Sequence, residues 1–161
     1  VAHIVTDGQP AATPAQLAAS ADKASETHAD EVRIAEVHQR LGECEGAFNR
    51  ADQPAFFDCL DPDVVIFTIS GDYYGRSAGM DYYRQRFFSH SPGAQLVSTP
   101  RAHHAIGGAV WVEYDLRITM GAQVSLARGT ALCEKKDGIW RIVHMNHSAP
   151  PGEPVQAKSL E

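Results

Sequence analysis

No run of apolar residues in this 161-residue sequence approaches the roughly 20 needed to cross a bilayer, so no membrane-spanning helix is expected. Basic residues are scarce too: 14 Lys and Arg stand against 20 Asp and Glu, for a formal net charge of -6. They are scattered, and without a basic stripe nothing neutralises a row of phosphates, which argues against nucleic acid as a partner. Cysteine is the third shortage. Cys44, Cys59 and Cys133 are an odd set without C-x-x-C spacing, which argues against both a disulfide framework and a zinc knuckle. Cys44 and Cys133 then read as small core residues in a soluble protein of a reducing, cytoplasmic compartment. No charged segment followed by an apolar stretch marks a signal peptide at the start, although a cleaved one leaves no trace.

What is present is an ordinary globular balance of 43% hydrophobic and 21% charged residues, enough for one core. Residues 1–27 are rich in Ala, Pro, Ser and Thr and lack large apolar side chains, so a loose arm is expected, with Thr13-Pro14 able to start a short helix. The domain is expected over residues 28–149, with 150–161 as a tail marked by Pro150, Pro151 and Pro154. Ile34, Val37, Leu41, Cys44 and Phe48 recur at three and four residues and predict a helix ending near Asn49. Asp52 caps a second short helix that turns Phe56, Phe57 and Leu60 inward, and Ser77 a third that runs on from it as AGMDYYRQRFF. The β-branched run Val64 to Ser70 predicts a strand. Four further strands follow as QLVSTPRAHHAI, AVWVEYDLRITM, QVSLARGTALCEK and IWRIVHMNHS, separated by hairpin signals at Gly107-Gly108, Gly121-Ala122 and Asp137-Gly138. Three helices and a strand followed by four antiparallel strands describe an α+β domain with helices on one face of a bent sheet.

The segment DGIWRIVHMNHSAP carries two histidines three apart. On a helix they would be neighbours, but on a regular strand side chains alternate, so they point apart and do not share a metal. Val143, Met145 and His147 then occupy one face and Trp140, Ile142, His144 and Asn146 the other, unless a bulge near the strand end swaps them. The adjacent His103-His104 pair meets the same objection. In AVWVEYDLRITM one face is apolar, Val110 to Met120 at even positions, and the other is Trp111, Glu113, Asp115, Arg117 and Thr119. That second row faces either water or a partly closed cavity in which Asp115 and Arg117 pair. Tyr73 and Tyr74 fall in the turn after the first strand, and Tyr82 and Tyr83 on the third helix, where ring and hydroxyl suit the rim of a pocket for an apolar ligand.

FNRADQPAFFDCLDPDVVIF, GDYYGRSAGMDYYRQRFF and the closing DGIWRIVHMNHSAPP together resemble the nuclear-transport-factor-2-like superfamily, over about residues 30–150. The nearest branch is the SnoaL-like group that includes the association (hub) domain of calcium/calmodulin-dependent kinase II. The resemblance implies a cone-shaped curved sheet around a long N-terminal helix, with a pocket at the wide end. Members include cofactor-independent isomerases, dehydratases, cyclases and lyases, and also hubs and transport adaptors, so the fold does not settle the function. The ketosteroid isomerase groups are missing: the base falls near Thr68, the tyrosine at Cys44 and the protonated aspartate near Ala131 or Leu132. Of the hub domain's three arginines the first matches Arg117, while the others fall at Ala131 and His147, and its pocket histidine falls at Tyr83. Both alignments imply that His147 lies on the pocket face with Met145 and Val143, and that His144 faces away.

Two functions follow as expectations. The first is a cofactor-independent lyase, dehydratase or isomerase acting on a small, largely apolar and possibly aromatic molecule. In it His147 is the general acid or base, Asp115 orients it or is itself the base, Arg117 holds a developing oxyanion and Tyr83 donates a proton or hydrogen bond. Thr68, Tyr74, His104, Glu113, Met145 and His144 complete the substrate-binding set, no cofactor or metal is expected, and a homodimer or trimer is the expected assembly. The second is a non-enzymatic oligomeric hub or small-ligand-binding module.

Overall fold

A computed structural model describes residues 13–90 and 93–150 of the chain. Helix α1 runs Pro14–Asn49, so within the described residues the Ala-rich segment expected as a loose arm is helical from the Thr13-Pro14 start signal onward. The expectations for residues 1–12 and for the tail from residue 151 lie outside the described residues. The described residues up to Val32 form a unit of their own, and the described residues from Arg33 onward form a second, which contains the sheet.

In this second unit α1 is followed by α2 (Gln53–Asp58), β1 (Leu60–Thr68), β2 (Gly71–Tyr74), α3 (Gly75–Tyr83), a π-helical turn (Arg84–Phe88), β3 (Gln95–Ile106), β4 (Ala109–Met120), β5 (Gln123–Lys136) and β6 (Ile139–Ser148). The six strands form one curved sheet in the order β2-β1-β6-β5-β4-β3. All neighbours are antiparallel except β1 and β6, which run parallel because the chain leaves β1 and returns beside it only after the whole β3 to β6 meander.

Local signals explain most boundaries. The Asp52 side chain accepts from the Ala55 backbone N–H at 3.2 Å, the expected N-cap of α2. The three hairpin turns carry their positive φ at Gly107, Gly121 and the Asp137-Gly138 pair, where φ is 52° and 77°. Several boundaries differ from the expectation, among them the end of α3, which gives way to the π-helical turn at Arg84. Leu60 opens β1 instead of facing inward from α2; Tyr73 and Tyr74 sit on the short strand β2, not in a turn; and α3 begins at Gly75 with no side-chain cap. Here Gly75, at φ 82°, lets the chain turn from strand directly into helix.

The core lies between the inner face of the sheet and the helices. Val37, Ala47 and Phe48 from α1 pack with Phe56, Phe57, Leu60, Val64, Ile66, Val110, Val112 and Ile142. Polar ties fasten α1 to the sheet edge: the Asn49 side chain donates to the Leu96 carbonyl at 2.8 Å and accepts from its N–H. Trp140 donates its indole N–H to Glu36 at 2.7 Å. Asp61, 2% exposed, is a buried charge that the sequence reading passed over; Lys136 meets it at 3.1 Å.

The cysteines correct the sequence reading. Cys44 on α1 and Cys59 at the end of α2 form a disulfide, with Cα atoms 6.0 Å apart, and only Cys133 is free, buried against β4. An odd count had hidden one pair and one core thiol. No helix among the described residues is long and apolar enough to cross a membrane.

Candidate functional site

Between the inner face of the sheet and the helices lies a cavity of about 740 Å³. Its lining is mostly apolar: Leu41 and Phe48 from α1, Phe56 from α2, Phe87, Leu96, and the β4 row Val112, Tyr114, Leu116, Ile118 and Met120. Alternation along β4 puts those residues on one face. The opposite row, for which both water and a cavity wall were open, is therefore outside. Arg117 and Asp115 are exposed, and Asp115 pairs not with Arg117 but with Arg101 at 3.2 Å and Arg128 at 3.8 Å. The period-2 pattern was right and the choice of face was reversed: the helices cover the apolar row, so the hollow forms there.

Two of the polar groups that enter the cavity come from one cross-strand row. Tyr114 on β4, Gly129 on β5 and His147 on β6 are register partners. The Tyr114 ring lies across the glycine: a Cβ at residue 129 would sit 2.2 Å from Tyr114 Cε2 and 2.6 Å from Cζ. Only the absence of a side chain there lets the phenol reach over β5 to His147 Nε2, at 3.1 Å. The isolated glycine inside QVSLARGTALCEK was the available sequence signal for this close approach.

His147 faces the cavity, as the resemblance implied, and a bulge reorders the strand before it. Leu132 pairs with His144 and Cys133 with Ile142, so Val143 is an extra residue in β6. Trp140 and Ile142 accordingly share the inner face with Met145 and His147, instead of the outer face expected for a regular strand. His144 points the other way, its ring 5.2 Å from that of Phe67. Burial depresses the His147 pKa to about 4, so at neutral pH the ring is uncharged. A neutral imidazole has one N–H and one lone pair; in one tautomer Tyr114 donates to Nε2, and in the other Nε2–H donates to Tyr114 and frees the phenol hydrogen.

Tyr83, on α3, lines the same cavity, 5% exposed, and its hydroxyl donates to the Met145 sulfur at 3.3 Å. Burial raises the pKa of both Tyr83 and Tyr114, which keeps both phenols protonated. Thr68 also lines the cavity, beside Ser70 at 3.0 Å. Toward the open end stand Ile69, Arg86, Ser125 and Leu126, all exposed. Glu45 accepts from the Ser98 backbone N–H at 2.8 Å and from its hydroxyl. His38 meets His103 at 3.3 Å, and burial with the neighbouring ring lowers its pKa.

The structure thus brings together His147, Tyr83, Met145 and Thr68 of the candidate set and adds Tyr114, which sequence reasoning had assigned only to the apolar row. It does not bring in the others. His104 stacks on Trp111 on the outer face, with ring centroids 5.5 Å apart, and Tyr74 is 66% exposed against Phe67. Glu113 belongs to a shallow outer pocket with Arg101 and Arg128. Among the described residues no group of three or more His, Cys, Asp or Glu is placed to hold a metal ion.

Residues 37–152 match the family model described as the SnoaL-like domain, which is well over half of the chain. The chain belongs to the SnoaL-like family. Solved structures place this SnoaL-like chain in the nuclear-transport-factor-2-like fold. An NTF2-like protein of unknown function from Pseudomonas putida superposes with a TM-score of 0.64 at 20% identity, over 74% of this chain and 88% of that one. A putative calcium/calmodulin-dependent protein kinase type II association domain from Thiobacillus denitrificans gives 0.60 at 15% identity, over 69% and 92%. A ketosteroid isomerase-like protein from Erwinia carotovora gives 0.57 at 18%, over 71% and 93%. At these identities the likeness is one of fold. Among curated protein sequences none matches.

Proposed function

We propose that the SnoaL-like chain is an isomerase or lyase that moves a proton on a small, largely apolar molecule held in the inner cavity. The observation that carries this reading is the Tyr114–His147 pair, hydrogen-bonded at 3.1 Å inside a mostly apolar hollow of about 740 Å³. A hollow of that size suits a small organic ligand, with a few polar groups fixing its orientation. His147, uncharged at neutral pH, is free to take up a proton, and Tyr114 passes one between the ring and the ligand. A base of such low pKa is weak, so hydrogen bonds to the charge that develops on the ligand carry more of the catalysis, a contribution of about 10²- to 10³-fold for a well-placed donor. Arg117 and Asp115 have no part in this mechanism. The ketosteroid isomerase-like neighbour supports the reaction class at the level of fold.

The test uses proton exchange. A panel of small uncharged ketones, enones and β-hydroxy ketones is incubated with the protein in D₂O, and deuterium uptake or elimination is followed by NMR. Turnover that disappears in His147→Ala and falls in Tyr114→Phe, yet survives in Arg117→Ala, supports the assignment; turnover lost in Arg117→Ala and kept in His147→Ala overturns it. The likeness to the putative kinase association domain supports a second reading, a non-enzymatic binding or assembly module. Binding without turnover, in a ring of ten or more subunits by light scattering, favours that reading, whereas a dimer or trimer accords with the enzyme.

A further inference from the structure

One donor in the cavity has a poor partner. The Tyr83 hydroxyl is buried and its hydrogen bond goes to a thioether, Met145 Sδ, at 3.3 Å. A thioether sulfur is a weak acceptor, and a buried hydroxyl gains substantially from a stronger one. An oxygen atom delivered by a ligand would take that hydrogen bond from the sulfur without any protein group having to be broken from a good partner. Tyr114 lies near enough that Tyr83 adds to the rise that burial causes in its pKa, and in one His147 tautomer its hydroxyl hydrogen is also available.

The electrostatics of the lining restrict what that oxygen belongs to. At the buried end stand Tyr83, Tyr114, Met145 and His147, all uncharged at neutral pH. Among the described lining residues the one arginine, Arg86, is exposed, with its guanidinium over the Phe87 ring, and Glu45 contributes negative charge. A carboxylate or phosphate brought to the buried end would be desolvated with no cation to pair it, at a cost of several kcal/mol.

The geometry points to a ligand that is uncharged and ends in a carbonyl oxygen, which Tyr83 and Tyr114 grip at the buried end while its apolar body lies along Phe48, Leu96, Leu116 and Ile118. This rests on the cavity being the ligand site, as proposed above, and adds the chemical class that the site selects.

Three probes of one shape separate the terms: phenanthrene, 9-acetylphenanthrene and phenanthrene-9-carboxylate, each titrated by its own fluorescence. The ketone is expected to bind about tenfold more tightly than either of the others, the worth of one good hydrogen bond. Tyr83→Phe, which keeps the ring and loses the donor, brings the ketone down to the hydrocarbon. Met145→Leu, which removes the competing sulfur, tightens the ketone several-fold and leaves the hydrocarbon unchanged. A carboxylate that binds as well as the ketone, or a ketone preference that survives Tyr83→Phe, overturns the inference while leaving the cavity as a site. Failure of all three probes to bind removes the cavity reading itself, and this inference with it.

Discussion

Replacing Gly129 by alanine places a methyl group where the Tyr114 ring now lies. The new Cβ would be 2.2 Å from Cε2, 2.6 Å from Cζ and 2.9 Å from the hydroxyl oxygen, all well inside contact distance. The obstacle is a ring packed in the cavity wall, so Tyr114 has to leave its present rotamer and lose the 3.1 Å bond to His147. Overpacking of this kind costs about 1–3 kcal/mol, and the lost hydrogen bond adds about 1 kcal/mol. In a Tyr114→Leu background the clashing atoms are gone, and the same glycine substitution is expected to cost less than about 0.5 kcal/mol, or to stabilise slightly by restricting the unfolded chain. Urea unfolding of the four proteins gives the coupling directly, and about 2 kcal/mol is expected between the two sites. Equal costs of Gly129→Ala in both backgrounds would refute the account of why this strand carries a glycine.

Three further outcomes follow. The His147 pKa of about 4 lies below the ordinary value of 6.5, so between those pH values the unfolded chain binds a proton that the native protein does not. Stability is then complete above pH 6.5 and falls as the pH drops toward 4, by at most about 3 kcal/mol; unfolding curves of wild type and His147→Gln should diverge over that window and run parallel above it. Reducing the Cys44–Cys59 disulfide, whose partners are 15 residues apart, is expected to cost about 3 kcal/mol and to lower the melting temperature by several degrees, measured by calorimetry with and without dithiothreitol. An unchanged melting temperature after confirmed reduction would show that the crosslink does not stabilise the fold. Arg117→Ala, whose side chain is exposed on the outer face, is expected to change stability by less than about 0.5 kcal/mol and to leave ligand binding in the cavity intact.

Apart from the short strand β2, the order of elements was legible because each one carries a local signal. The 3.6-residue stripe from Ile34 to Phe48 made the helix visible, the Asp52 cap its successor, and the glycine-containing turns the hairpins. The resemblance added the curved sheet and put His147 on its pocket face. What escaped needed information from across the fold. Alternation in β4 separates two faces but does not say which one the helices cover, and the charged row looked more like chemistry than the apolar row that actually lines the hollow. The bulge at Val143 depends on how β6 pairs with β5, so Ile142 and Met145, three apart, could share a face only once that pairing was known. Cys44 and Cys59 meet because α2 turns the chain back on α1, which no count of cysteines encodes. Gly129 was the missed clue: a glycine in the middle of a strand asks what approaches it, and here the answer is the phenol that reaches His147.

The central claim is that ligand enters the inner hollow and not the outer charged face. Filling that hollow tests it most directly. Ala131 is 1% exposed and lines the cavity, and Ala131→Phe places a ring in the space. In a fluorescence titration with 9-acetylphenanthrene, a folded Ala131→Phe protein is expected to lose binding at least tenfold while Arg117→Ala binds as wild type does. Retained binding in Ala131→Phe, together with loss in Arg117→Ala, would contradict the account.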